Sequence, residues 1–106
     1  MKASELRIGN WVNDGDGDFT VNRITLAHVE KFPDKFKPIP LTEEWLVKFG
    51  FKKIGVNYEL NEFVIFTDRK GRLKYRSNPY DVPLYHVHQL QNLYFALRPE
   101  ELTIKE

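Results

Sequence analysis

The stretch Tyr85-His86-Val87-His88-Gln89-Leu90-Gln91-Asn92-Leu93-Tyr94-Phe95-Ala96-Leu97, closed by Arg98-Pro99, constrains this chain more than any other. At about 100° per residue, Val87, Leu90, Leu93, Tyr94 and Leu97 fall within one arc roughly 120° wide, the stripe a helix buries against a sheet. The other side is unusual. His88, Gln91, Asn92 and Phe95 share a second arc of about 100°, which sets one aromatic ring among amide and imidazole groups with no formal charge nearby. Such a face suits contact with a partner protein or a second copy of the chain. Its plainer alternatives are an internal network, with the amides bonded to neighbouring backbone, and a small-molecule site.

At 106 residues the chain has the length of a single domain, 1–106, able to bury one core without staples. It has no cysteine, which removes disulfides and thiolate metal sites and fits a reducing compartment. Glu5 interrupts the opening segment where a secretory leader would begin its apolar run, and the longest unbroken apolar run, Leu93 to Leu97, falls far short of the ~20 residues of a membrane helix. The expectation is a cytoplasmic protein. A formal net charge of +1 leaves no global field to collect nucleic acid or anionic lipid, so such binding requires a local patch.

In chain order, Arg7–Val12 and Phe19–Ile24 read as strands of an N-terminal hairpin turned by Asp14-Gly15-Asp16-Gly17. Ala27–Pro40, with Pro33, Pro38 and Pro40, reads as an extended connection. Leu41–Phe51 is a punctuated short helix. Thr42 is placed to cap it, Glu43 and Glu44 lie at the positive dipole end, and Gly50 supplies a left-handed stop that folds Phe51 back on Leu46. Phe51–Leu60, Phe63–Thr67 and Arg72–Arg76 form an antiparallel meander with Phe63–Phe66 central, because it is apolar on both faces. Ser77–Pro83 is a loop, the second helix packs on the sheet, and Leu102–Ile104 is free to return as a short final strand. The fold class is α+β.

Several groupings suggest chemistry. Asn13–Asp18 resembles a calcium loop, but with Gly17 as its sixth position the twelfth ligand falls on Arg23, where a carboxylate is required; a turn is the better reading. His86 and His88 are imidazole ligands two residues apart, which on a helix point about 200° away from each other, so no metal is expected. Ser77, Asp81 and His86 have the residue types of a triad without a nucleophile elbow. No catalytic residue, metal ligand or cofactor is assigned. The segment Asp68–Arg76 holds Arg69, Lys70, Arg72, Lys74 and Arg76, and a strand there projects Arg72, Lys74 and Arg76 from one face, able to follow a phosphate backbone, with Tyr80 near enough to stack on a base. The plainer reading is an edge strand that its charges keep from pairing with other chains.

At Leu41-Thr42-Glu43-Glu44-Trp45-Leu46, at Val87-His88-Gln89-Leu90-Gln91-Asn92-Leu93-Tyr94-Phe95-Ala96-Leu97 and at Glu100-Glu101-Leu102, the chain resembles a family of small proteins from Bacteroides-type bacteria and their phages and prophages. Members open with a segment similar to Ile8-Gly9-Asn10-Trp11-Val12 and often carry Thr-Gly where this chain has Arg98-Pro99. The resemblance implies a phage or mobile-element accessory protein and brings no activity or catalytic residue with it. Sequence therefore predicts a non-enzymatic module that binds a protein or itself through His88, Gln91, Asn92 and Phe95. Its rival is a nucleic-acid-binding module using Arg69, Lys70, Arg72, Lys74 and Arg76.

Overall fold

Asn13 and Asp14 turn the N-terminal hairpin with their own side chains. Asn13 Oδ1 accepts from the Gly15 N–H at 2.7 Å, and Asp14 Oδ1 accepts from Asp16 and Gly17 at 2.9 and 3.2 Å. Gly15, at φ +98°, occupies the left-handed conformation the reversal requires. This computed structural model describes residues 1–105. It pairs β1 (Trp11–Asn13) with β2 (Asp18–Thr20) in antiparallel register, Val12 opposite Phe19.

The next segment departs from expectation. The strand ends at Thr20, and Arg23–Lys31 is a helix, α1, where the sequence predicts strand to Ile24 and an extended connection beyond Ala27. Asn22 is the cause: its Oδ1 accepts from the Thr25 N–H at 2.8 Å and from the Thr25 hydroxyl at 3.0 Å, which satisfies helix-terminal donors and starts the turn. The extended connection is confined to the residues after a 3-10 turn at Pro33–Lys35, where β3 (Lys37–Pro38) adds to the far side of β1.

The described residues form two compact units: Met1–Pro40 with His86–Glu101, and Leu41–Tyr85 with the residues from Leu102 onward. In the first, Leu6, Val12, Val21, Val29 and Phe36 make an apolar cluster flanked by Met1, Ala3, Phe19 and Leu26. α3 (Val87–Leu97) lies against β1. Its buried side chains are Val87, His88, Leu90, Gln91 and Tyr94, whereas Leu97 is half exposed. The inward stripe is thus rotated from the one predicted, and His88 and Gln91, expected on the outward polar arc, are buried.

In the second unit α2 (Glu43–Lys48) has the predicted ends. Thr42 caps the Trp45 N–H, and at the C-terminus the Gly50 and Phe51 N–H groups bond to the carbonyls of Val47 and Leu46, each at 3.0 Å, around Gly50 at φ +94°. Trp45, Leu46 and Phe49 are buried, as the sequence predicts. Strands β4 (Lys52–Ile54), β5 (Asn57–Leu60), β6 (Phe63–Thr67), β7 (Leu73–Tyr75) and β8 (Val82–Pro83) follow one another in an antiparallel meander with β6 at its centre. The run Phe51–Leu60 is two strands, broken at Gly55 (φ +65°), and Asn61 and Glu62, both at positive φ, turn the next hairpin. Leu102–Ile104 forms no strand; Leu102 is buried and the Lys105 N–H bonds to the Lys48 carbonyl at 2.7 Å. The α+β class stands. No helix among the described residues is long and apolar enough to cross a membrane.

Candidate functional site

The polar face of α3 is turned inward and its amides are spent. Gln91, fully buried, donates from Nε2 to the Gly9 carbonyl at 3.0 Å and accepts at Oε1 from the Trp11 N–H at 2.8 Å. It completes the backbone bonding of the chain entering β1. Asn92 Oδ1 accepts from Arg7 Nε at 2.8 Å and Asn10 Nδ2 at 3.0 Å, while its Nδ2 donates to the Glu5 carbonyl at 3.0 Å. Arg7 also donates to the Gln91 carbonyl at 3.1 Å and to the Glu101 carboxylate, and its guanidinium lies 4.2 Å from the centre of the Phe95 ring. Three residues of the predicted binding face, Gln91, Asn92 and Phe95, are therefore brought together around Arg7, the two amides in the hydrogen-bonded arrangement that was their alternative, while His88 lies apart beside His86 and Glu5. Phe95, 39% exposed, is the one that keeps substantial ring area in solvent. Sequence reasoning overlooked Arg7 and Asn10, whose partners lie more than 80 positions away.

His88 is also buried. Its ring stacks on His86 with centroids 5.7 Å apart and planes at 11°. The helix begins at Val87, so His86 is an extended cap residue (φ −131°, ψ 153°) and the 200° divergence expected within a helix does not arise. His88 Nε2 lies 4.0 Å from the Glu5 carboxylate, and its buried Nδ1 has no hydrogen-bond partner among the described residues. Burial, then the neighbouring His86, hold the His88 pKa below its ordinary value against an opposing pull from Glu5. Glu5, His86, His88, Gln89, Asn92 and Leu93 line a shallow depression, yet no group of three His, Cys, Asp or Glu among the described residues is placed to hold a metal. Asp81 accepts the Ser77 backbone N–H at 3.1 Å and so shapes its own loop.

The basic segment is arranged differently. Asp68 Oδ1 accepts the backbone N–H groups of Lys70 and Arg72, each at 2.9 Å, and closes the turn that presents Arg69 and Lys70 to solvent. The Arg72 N–H above all lowers the Asp68 pKa; burial opposes it, and the Lys70 N–H and then Lys74 lower it further. Arg72 precedes the strand and lines a cleft with Thr42, Glu43, Thr67 and Tyr85. Lys74 and Arg76 belong to the outer face of the sheet. Lys74 stands directly across from Phe66, with its ammonium 3.3 Å from Asp68. The Arg76 guanidinium lies 4.9 Å from the centre of the same ring, one nitrogen 3.4 Å from Asn57 Oδ1.

Register carries this face across all five strands as Ile54, Asn57, Phe66, Lys74 and Pro83. Beside that row lie Lys52, Glu59 and Val64. The opposite face of β5 and β6 presents the buried Tyr58, Phe63 and Ile65. Among the described residues the Tyr58 hydroxyl has no partner at full hydrogen-bond geometry; burial first, and the nearby Glu43 carboxylate second, push its pKa up to about 12. Phe66 and Asn57 are the site residues that sequence reasoning missed. The signal was the apolar character of β6 on both faces, which in an antiparallel sheet puts one aromatic ring outward.

The fold and this face define an α+β protein with a basic, aromatic-centred sheet surface. Comparison with protein-family models, with curated proteins and with solved structures returns no match for this chain.

Proposed function

We propose that the chain is a nucleic-acid-binding module, acting by binding rather than by catalysis, through the outer face of its five-stranded sheet and the basic turn that leads into β7. The observation that carries this reading is the grouping around Phe66 of Lys74, on the interior strand β7, and Arg76, the residue that follows that strand, rather than one strand carrying Arg72, Lys74 and Arg76 as the sequence predicts. The plainer account of the basic row was protection of an exposed edge. β7 instead lies between β6 and β8, and the edge is formed by a two-residue strand ending in Pro83, which has no N–H to offer a foreign strand. Edge protection is thus provided without the charges, of which Lys74 is ion-paired with Asp68, while Arg76 and the turn cations Arg69 and Lys70 are exposed to face a polyanion. Arg69 and Lys70 on the adjoining turn and Lys52 on the same face extend the basic surface, with Glu59 opposite Lys52 and Asp68 against Lys74 as acidic groups beside them.

The test is fluorescence anisotropy of a labelled oligonucleotide at rising salt. Binding is expected to weaken linearly in log–log form, and the double variant Lys74→Ala/Arg76→Ala to lower the slope by about 1.5, the counter-ion release of two phosphate contacts. Absence of salt-dependent binding by the parent protein overturns the reading. A second reading, contact with a protein or a second copy through α3, draws support from the exposed ring of Phe95 alone, because the amides beside it are already bonded. Sedimentation over a range of concentrations tests it, and a constant mass would leave self-association without support.

A further inference from the structure

We infer that the occupant of this face is a single strand, whose base stacks on the platform made by Phe66 and the Arg76 guanidinium. The inference rests on the nucleic-acid reading above and adds the class of ligand. A five-stranded sheet is roughly 19 Å across, at about 4.8 Å per strand spacing, wider than the ~12 Å major groove of a duplex. Its face is therefore too wide for the major groove of an undeformed double helix, where it would meet chiefly phosphates. An unpaired strand has no such restriction and can lay its bases flat on the sheet.

The side chains are placed for that contact. Phe66 lies on the central strand, flanked by a cation across the ladder and another above its ring. Asn57 Oδ1, 3.4 Å from the guanidinium, holds Arg76 near the ring from the β5 side. A guanidinium held 4.9 Å from the centre of a phenyl ring sets a positive charge beside an aromatic surface, and both groups stack on bases without regard to base identity. Lys74 and Arg76, two residues apart, start from Cα atoms roughly 7 Å apart, so that their charges can serve neighbouring phosphates of an extended strand while the base between them meets the platform. Lys74 is held by Asp68 at 3.3 Å, an ion pair that an incoming phosphate has to displace.

Three labelled ligands of equal length separate the possibilities: oligothymidylate, an abasic deoxyribose-phosphate chain, and a duplex. The intact protein is expected to hold oligothymidylate about tenfold more tightly than the abasic chain at one salt concentration, the scale of one stacked base. Phe66→Leu, a change in side-chain type that keeps the position apolar, should abolish that advantage and leave the salt slope unchanged. Arg76→Lys should keep the slope and lose part of the advantage. Equal affinity for thymidylate, abasic chain and duplex overturns the stacking inference while the nucleic-acid reading survives. No salt-dependent binding to any of the three removes both. The abasic comparison uses the unaltered protein, so it decides the matter even if Phe66→Leu fails to fold.

Discussion

Replacing Gln91 with Met is the sharpest test of how the first unit is held together. The side chain is fully buried, and both ends of its amide are bonded to backbone, the Gly9 carbonyl at 3.0 Å and the Trp11 N–H at 2.8 Å. Methionine has a similar length and flexibility, so the cavity term is small, but it leaves a part-buried donor and a part-buried acceptor without this partner. Each costs about 1–3 kcal/mol, and the better transfer of a thioether from water offsets part of the sum, so the expected loss is about 2–4 kcal/mol. That is a large share of the ~5–15 kcal/mol that keeps a domain folded.

Urea unfolding, followed by Trp11 emission in a Trp45→Phe background, measures the change, and hydrogen exchange at the Trp11 amide locates it. Gln91→Glu provides the internal control. Near neutral pH its carboxylate can still accept from Trp11, but a second oxygen then faces the Gly9 carbonyl, so this variant should be less stable than Gln91→Met. Burial and that carbonyl push the new carboxyl above its ordinary range, and once protonated it can donate to Gly9 as the amide does. The stability of Gln91→Glu relative to the parent should therefore rise as pH falls through the raised folded-state value. A Gln91→Met loss below about 1 kcal/mol with the Trp11 amide still protected would refute the claim that this side chain completes β1.

His88 makes the first unit sensitive to acid. Its folded-state pKa is depressed, so below the ordinary value of 6.5 the unfolded chain takes up a proton that the folded one refuses. The stabilisation is fully present above pH 6.5 and is lost as pH falls through the window between that value and the lower folded one; unfolding midpoints at about pH 7.5 and about pH 5.5 should differ in the parent and converge in His88→Gln. In the second unit, Gly50→Ala should cost about 1–2 kcal/mol, because Gly50 holds φ +94° and a side chain there is strained. The new Cβ would lie 2.8 Å from Lys105 Cγ, but that flexible side chain can move away cheaply, so Gly50→Ala/Lys105→Gly should recover little by thermal melting.

Local signals were legible where the residues that make an element lie within a few positions of each other. Thr42, Glu43, Glu44 and Gly50 specify both ends of α2 within one short segment, and Asn13 to Gly17 turn their hairpin with their own side chains. α1 escaped because its apolar residues do not mark a buried face: Val29 is fully buried but Ile24 is 70% exposed, so Asn22 was the better guide and its cap bond to Thr25 the deciding one. The role of Gln91 had no local signature at all. Its partners are some 80 residues away, and nothing in the spacing of α3 states that the backbone entering β1 arrives with a donor and an acceptor unpaired. The same physics separates the two candidate faces. Neutral amides are adaptable hydrogen-bonding groups and a fold readily uses them to satisfy its own backbone, as it does on α3. Lysine and arginine charges lose much of their hydration if buried, so the fold leaves Lys74 and Arg76 at its surface, and the outward Phe66 between them is the feature that solubility alone does not require.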